Sequence, residues 1–163
     1  MATNKKSGKK YKPKYVLVNP MGFVMENMTS VSSHSSFMLS LKIKNHGALT
    51  MLTTGKGTQW DIEILIAMVN MTEAFARIGF GQDYSDVVRD GIQALRSVGR
   101  RGVETGSFVM KSAEMNALNT IMELHDAQME MVTLKDMDKA IALVKEEYRQ
   151  RKMTPIVEKT WQD

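Results

Sequence analysis

Two apolar repeats with a helical period follow one another over residues 112–151, and they constrain the fold more than any other part of the sequence. The first repeat places a mainly apolar set on one face: Met115, Leu118, Ile121, Met122, His125, Met129 and Val132. The second does so with Leu134, Met137, Ala140, Ile141, Val144 and Tyr148. We expect Ser112 to cap the first helix, and Thr133 with Asp136 to cap the second. Because the connection is very short, the two helices are predicted to pack as an antiparallel hairpin.

Three further helices are predicted at about residues 35–53, 58–78 and 83–101. Glycines follow each of them, and Gly102 and Gly106 are expected to form the break before the helix that begins at Ser112. The helix at 58–78 begins with Thr58 and Asp61 as a capping pair. It is apolar on nearly every side, so we expect it at the centre of the domain, or with one face reserved for a second subunit. The fold class that follows is all-α, a bundle of about five helices.

The remaining residues divide the chain further. Residues 1–14 form a basic tail that is predicted to be flexible, residues 34–152 the helical domain, and residues 153–163 a C-terminal tail. Between tail and domain, residues 15–33 contain two short apolar runs around Asn19-Pro20-Met21-Gly22, a pattern that favours a type I turn. This segment is predicted to be a short β-hairpin or an extended arm.

The positive charge of the chain is concentrated in the tail. The net charge is +4. Residues 1–14 have no acidic residue and six lysines, Lys5, Lys6, Lys9, Lys10, Lys12 and Lys14. Subtracting these six charges leaves −2 for residues 15–163. Such a tail fits sequence-independent contact with phosphates, or it is a solvated terminus that aids solubility.

Two charged surfaces are candidate binding sites. Arg89, Arg96 and Arg100 share the outer side of the helix at 83–101, with Arg101 beside them, and arginines recognise phosphates or carboxylates bidentately. The alternative is that they pair with acidic residues of the helix at 112–132, either within the fold or across a dimer. The acidic face of that helix, which could bind a basic partner or simply be solvated, consists of Glu123, Asp126 and Glu130.

The histidines and the buried amide have structural explanations. His125 lies in the apolar arc, and Glu123 and Asp126 point to the other face, so the three are not a ligand set on one face. We expect His125 to be a core or interface residue held by a hydrogen bond, and Asn45 to be a buried polar residue. His34, His46 and His125 are far apart in sequence.

No catalytic set can be assembled from the sequence, so the protein is predicted not to be an enzyme, and no cofactor or metal is expected. The chain has no cysteine, which excludes disulfides and thiolate metal sites. It has neither an apolar run long enough to span a bilayer nor an apolar segment behind the N-terminal lysines, so we expect no membrane association and a cytoplasmic location.

Three segments resemble small, uncharacterised helical proteins of bacteriophages, prophages and related mobile elements: residues 41–46 (LKIKNH), 65–70 (LIAMVN) and 118–128 (LNTIMELHDAQ). The similarity covers most of residues 13–152. It implies a bacterial host cell as the setting and supplies no catalytic residue.

The leading hypothesis is a non-enzymatic protein that binds nucleic acid, or a host complex that contains nucleic acid, through the lysine tail and the arginines. A competing hypothesis is a regulator or inhibitor that binds a host protein through the acidic face or exposed methionines. A third is a self-assembling structural component of a phage, for which a homodimer or larger oligomer is expected.

Overall fold

A computed structural model of the chain describes residues 35–150. This part is all-α, as predicted: five α-helices and one short 3-10 helix are formed, and no β-strand occurs among the described residues. The predictions for the lysine tail, the hairpin or arm, and residues 151–163 lie outside the described residues. We number the helices α1 (Ser35–Thr53), α2 (Gln59–Arg77), α3 (Ser85–Thr105), α4 (Ser112–Met131) and α5 (Leu134–Arg149).

The central position of α2 is confirmed, since it packs against each of the other four helices. Its first half joins a core formed with α1, α3 and α4, in which Leu65 and Leu95 are fully buried. Its second half joins a smaller core around Phe75, where α5 and the end of α4 contribute Met137 and Met129. The nearly continuous apolar surface of α2 is what allows one helix to serve both cores. One end is an exception, because Trp60 is 64% exposed.

Two of the predicted helix caps form and one does not. The Asp61 carboxylate accepts the backbone N–H of Thr58 at 2.8 Å, and the Asp136 carboxylate accepts that of Thr133 at 3.2 Å. The prediction that Ser112 caps α4 is wrong by one position. Lys111 is the N-cap residue, and its backbone N–H donates to the Glu114 carboxylate at 2.7 Å.

The predicted antiparallel hairpin of the last two helices is also wrong. Helix α5 packs on α2 and has almost no contact with α4. The cause is the connection itself, because Val132 and Thr133 both have extended backbone angles and carry the chain away from α4. The Val132 side chain is fully buried in the core around Phe75, and this burial fixes the new direction.

Helix α3 begins and ends later in the sequence than predicted. Residues Gln82–Tyr84 form the 3-10 helix, so α3 begins at Ser85, and it continues to Thr105, where Gly106 ends it in the left-handed conformation. Gly102, which was expected to break the helix, lies inside it instead. The reason is tertiary: a Cβ atom at this position would overlap the ring of Phe108, so the glycine allows the loop after α3 to close over the helix.

Candidate functional site

A groove of about 510 Å³ lies between the C-terminal end of α2, the 3-10 helix and α3. Gly79 and Gly81 have positive φ angles of 115° and 87° and reverse the chain between the two helices. The floor of the groove is apolar and comes from Ala76, Val88 and Ile92. Such a volume and an apolar floor are typical of sites that bind small ligands or single chemical groups of larger ones.

Two arginines of the predicted set, Arg89 and Arg96, line this groove. They are seven residues apart on α3, which places them on the same side of the helix. Arg77 joins them from α2, so the groove brings together three guanidinium groups. Glu73 is the single carboxylate of the lining, which therefore has an excess of positive charge.

The three guanidinium groups differ in how far they are already paired. Arg77 donates to Glu73 at 2.7 Å and also pairs with Glu147 of α5. Burial alone lowers the pKa of Arg77, but the two carboxylates outweigh it and the net change of this pKa is upward. Arg89 pairs with Asp86 at 2.6 Å and approaches Asp90 at 3.6 Å, all three at exposed positions. Such exposed pairs exchange partners at little cost.

Arg96 differs from the other two arginines of the groove because it has no ion pair with a described residue. No described carboxylate pairs with Arg96, and its Nε atom is buried without a hydrogen-bond partner among the described residues. A buried N–H group without a partner is costly, and it usually marks a site where water or a ligand supplies the acceptor. Of the three arginines that line the groove, Arg96 is therefore the one whose charge no described carboxylate neutralises.

The other two predicted arginines are separated from each other. Arg100 is exposed, one turn beyond Arg96 on the same side of α3, and forms no ion pair with a described residue. Arg101, only 100° further around the helix, turns toward the start of α4. Its guanidinium donates to the Glu114 carboxylate at 3.1 and 2.5 Å, and to the Val109 carbonyl at 3.2 Å. The alternative of pairing with an acid of α4 is thus realised for Arg101.

The acidic face of α4 is largely paired with α1. The Asp126 carboxylate lies 3.0 Å from Nε2 of His46 and 3.7 Å from Nζ of Lys42, and Lys42 also lies 3.6 Å from Glu130. Glu123 is exposed. Two of the three acids proposed for partner binding thus already hold α1 and α4 together.

His125 is a core residue, as predicted. It is 5% exposed, its ring packs near Phe75, and its Nδ1 atom lies 3.0 Å from the Thr72 hydroxyl. Because that hydroxyl donates to the Met68 carbonyl, the imidazole Nδ1–H is the donor between them. Burial lowers the pKa of His125 to about 4. Nearby Asp126 opposes this lowering, and His46 and Lys42 add to it. Asn45 is also buried.

Sequence reasoning missed the groove and the contribution of Arg77. The available signal was the polar stripe of α2, in which Glu63, Asn70 and Arg77 recur every seven residues. That signal gives the outer side of α2 but not the element that faces it. The six N-terminal lysines proposed for phosphate contact lie outside residues 35–150, as does His34.

Comparison of the chain with protein-family models, with curated proteins and with solved structures finds no match. The resemblance to phage-encoded proteins therefore stays a prediction. Within residues 35–150, no helix is both long enough and apolar enough to cross a membrane. In the same part of the chain, no group of three or more histidine and acidic side chains is placed to hold a metal ion.

Proposed function

We propose that the protein is a non-enzymatic nucleic-acid-binding protein in which the arginines of α3 make the ordered phosphate contacts and the N-terminal lysines add long-range attraction. The observation that carries this proposal is that Arg96 and Arg100 lack ion pairs within the described part of the chain. Both lie on one side of α3, and neither forms an ion pair with a described residue. Arginine forks are suited to phosphate oxygens, and a lysine-rich segment supplies the salt-sensitive part of such binding.

The proposal is tested by titrating labelled DNA and RNA with the full chain at low and moderate salt. Binding should weaken steeply as salt increases, because phosphate contacts release counterions. Arg100→Gln should weaken binding and reduce the salt slope by about one, since one phosphate contact is lost. The matched control is Arg149→Gln on α5, which removes another exposed arginine, one whose ion pair with a described residue is to its helical neighbour Glu146. If neither nucleic acid binds at low salt, the proposal fails.

A second candidate function is a regulator that binds a host protein. It is favoured by exposed apolar side chains: Leu39 and Ile43 of α1 are 60% and 64% exposed, and Met131 at the end of α4 is 58% exposed. Deleting residues 1–14 separates the two candidates. A protein-binding regulator should retain its partner after the deletion, whereas affinity for nucleic acid should drop markedly.

A further inference from the structure

The groove at Arg96 is too small to receive a double helix. Its volume of about 510 Å³ suits one nucleotide. A phosphate contact on the outer surface of α3 would be enough for duplex binding, and such binding would leave the groove without a role. The groove is therefore informative about which form of nucleic acid the protein binds.

The lining of the groove matches two parts of a nucleotide, the base and the phosphate. Ala76, Val88 and Ile92 offer an apolar surface for the face of a base. The amides of Gln82 and Gln93 also line the groove, and each offers both donors and an acceptor for the edge of a base. Both glutamines are exposed, and neither side chain is engaged by another described residue.

The phosphate position follows from Arg96, which lines the groove and forms no ion pair with a described residue. A phosphate group can accept two hydrogen bonds from one guanidinium at the same time. Arg89 stands on the same wall, and only exposed local ion pairs hold its guanidinium. It can turn to a second phosphate at small cost.

We propose that this groove receives a single unpaired nucleotide, with its phosphate on Arg96 and its base on the apolar floor, and that the protein consequently prefers single-stranded nucleic acid to duplex. This inference rests on the proposed nucleic-acid binding and names the substrate form. Unpaired bases are free to leave the strand and enter a pocket, whereas bases of a duplex must first be unstacked and unpaired.

The test compares a short single strand with the duplex of the same sequence, using fluorescence anisotropy and the full chain. The single strand should bind about tenfold more tightly, which is the scale of one base contact. Arg96→Gln should abolish this preference, because it should weaken binding of the single strand by a larger factor than binding of the duplex. Arg100→Gln, the matched control on the same side of α3 but outside the groove, should weaken both forms by the same factor.

Two further measurements guard against loss of folding in Arg96→Gln. Gln93→Glu changes an exposed side chain and places a carboxylate in the groove, so it should reduce single-strand binding selectively while the circular dichroism spectrum stays the same. In a heteronuclear NMR titration, the Nε–H resonance of Arg96 should shift with 5′-mononucleotides. A shift with inorganic phosphate but not with mononucleotides would overturn the proposal.

The same experiments separate a free nucleotide from a nucleotide within a strand. If the chemical-shift change of the Arg96 resonance reaches a plateau as mononucleotide is added, and the mononucleotide competes with the single strand for binding, the free nucleotide and the nucleotide within a strand share one site. If single strand and duplex bind equally and Gln93→Glu has no selective effect, the groove inference is overturned and the proposed nucleic-acid binding stands. If neither form binds at low salt, both fail together.

Discussion

Helices α1 and α3 occupy similar places in the bundle, since both pack on α2 and α4, yet they expose different chemistry. Part of the polar surface of α1 is used inside the protein: Lys42 pairs with Asp126 and Glu130, and Nε2 of His46 lies 3.0 Å from the Asp126 carboxylate. The exposed side of α1 includes two large apolar side chains, Leu39 and Ile43, and its exposed Lys44 lies over the Trp60 ring. On α3, Arg96 and Arg100 have no such partner among the described residues. A positive charge therefore indicates a binding site only where the fold does not already neutralise it.

The two helices also use glycine differently. Gly91 of α3 faces α4, where an added Cβ atom would come within 2.8 Å of the Ile121 side chain, and Gly102 faces the ring of Phe108. Gly47 of α1 is exposed and has no atom within 4 Å of such a Cβ position. The two glycines of α3 thus allow this helix to pack closely on one side, which leaves its opposite side facing solvent. Gly47 allows no such close contact in α1.

Lowering the pH should reduce the stability of the folded protein through the buried His125. The unfolded chain protonates His125 near its ordinary pKa of 6.5, whereas the folded protein does so only at about 4. Stability from the neutral, buried imidazole is therefore present above pH 6.5 and is lost as the pH falls toward 4, by about 3 kcal/mol in total. Urea unfolding at several pH values measures this loss.

Two histidine variants isolate that effect. His125→Phe removes the titrating group and leaves the Thr72 hydroxyl bound to the Met68 carbonyl, so this variant should lose less stability on acidification than the parent protein. His46→Gln keeps His125 but removes one neighbour that helps lower its pKa, so this variant should lose slightly less stability on acidification than the parent and more than His125→Phe. If His125→Phe loses as much stability on acidification as the parent protein, the pH dependence of the free energy of unfolding comes from other groups.

Replacing glycine by alanine should change the free energy of unfolding in opposite directions in α3 and in α1. Gly102→Ala forces the Phe108 ring out of its position and should lower the free energy of unfolding by about 2 kcal/mol, as overpacking does. Gly47→Ala meets no neighbour and should raise it by about 0.5–1 kcal/mol, because alanine is the better helix former. Denaturant unfolding of both variants provides the comparison, and a stabilised Gly102→Ala would contradict the close packing of α3.

The smallest effect is expected from the ion pairs between α1 and α4. Asp126→Asn retains the possibility of a hydrogen bond with His46 but removes the attraction to Lys42, and the Asp126 side chain is 25% exposed. The loss of stability should therefore stay below about 1 kcal/mol, as measured by thermal unfolding. Because the pairs near α1 do not face the groove, nucleic-acid affinity should not change. A clear loss of affinity would mean that the two sides of the bundle are coupled.

Local patterns predicted the secondary structure well and the connections less well. The first helix has the predicted bounds, because its apolar period and the glycine after it are local features. The Thr58 and Thr133 caps form for the same reason. The errors at Gly102 and at the turn between α4 and α5 arose where a distant side chain decided the outcome: Phe108 closes on the glycine, and Val132 is buried against residues of α2.

For the candidate site, the sequence indicated that Arg89, Arg96 and Arg100 share one side of a helix, but it could not separate free arginines from paired ones. Arg101 is the neighbour of Arg100 in sequence and is nevertheless bound to Glu114, because a step of one residue turns the side chain toward another helix. Arg77 reaches the same groove from α2, and no spacing rule relates it to α3.

The sequence by itself determined the helices, the central place of α2 and the burial of His125, since each depends on a periodic pattern within one segment. Only the tertiary structure decided which charges remain unpaired, because pairing depends on the distance between helices that are far apart in the chain. The groove at Arg96 belongs to this second class, as it exists only where α2, the 3-10 helix and α3 meet.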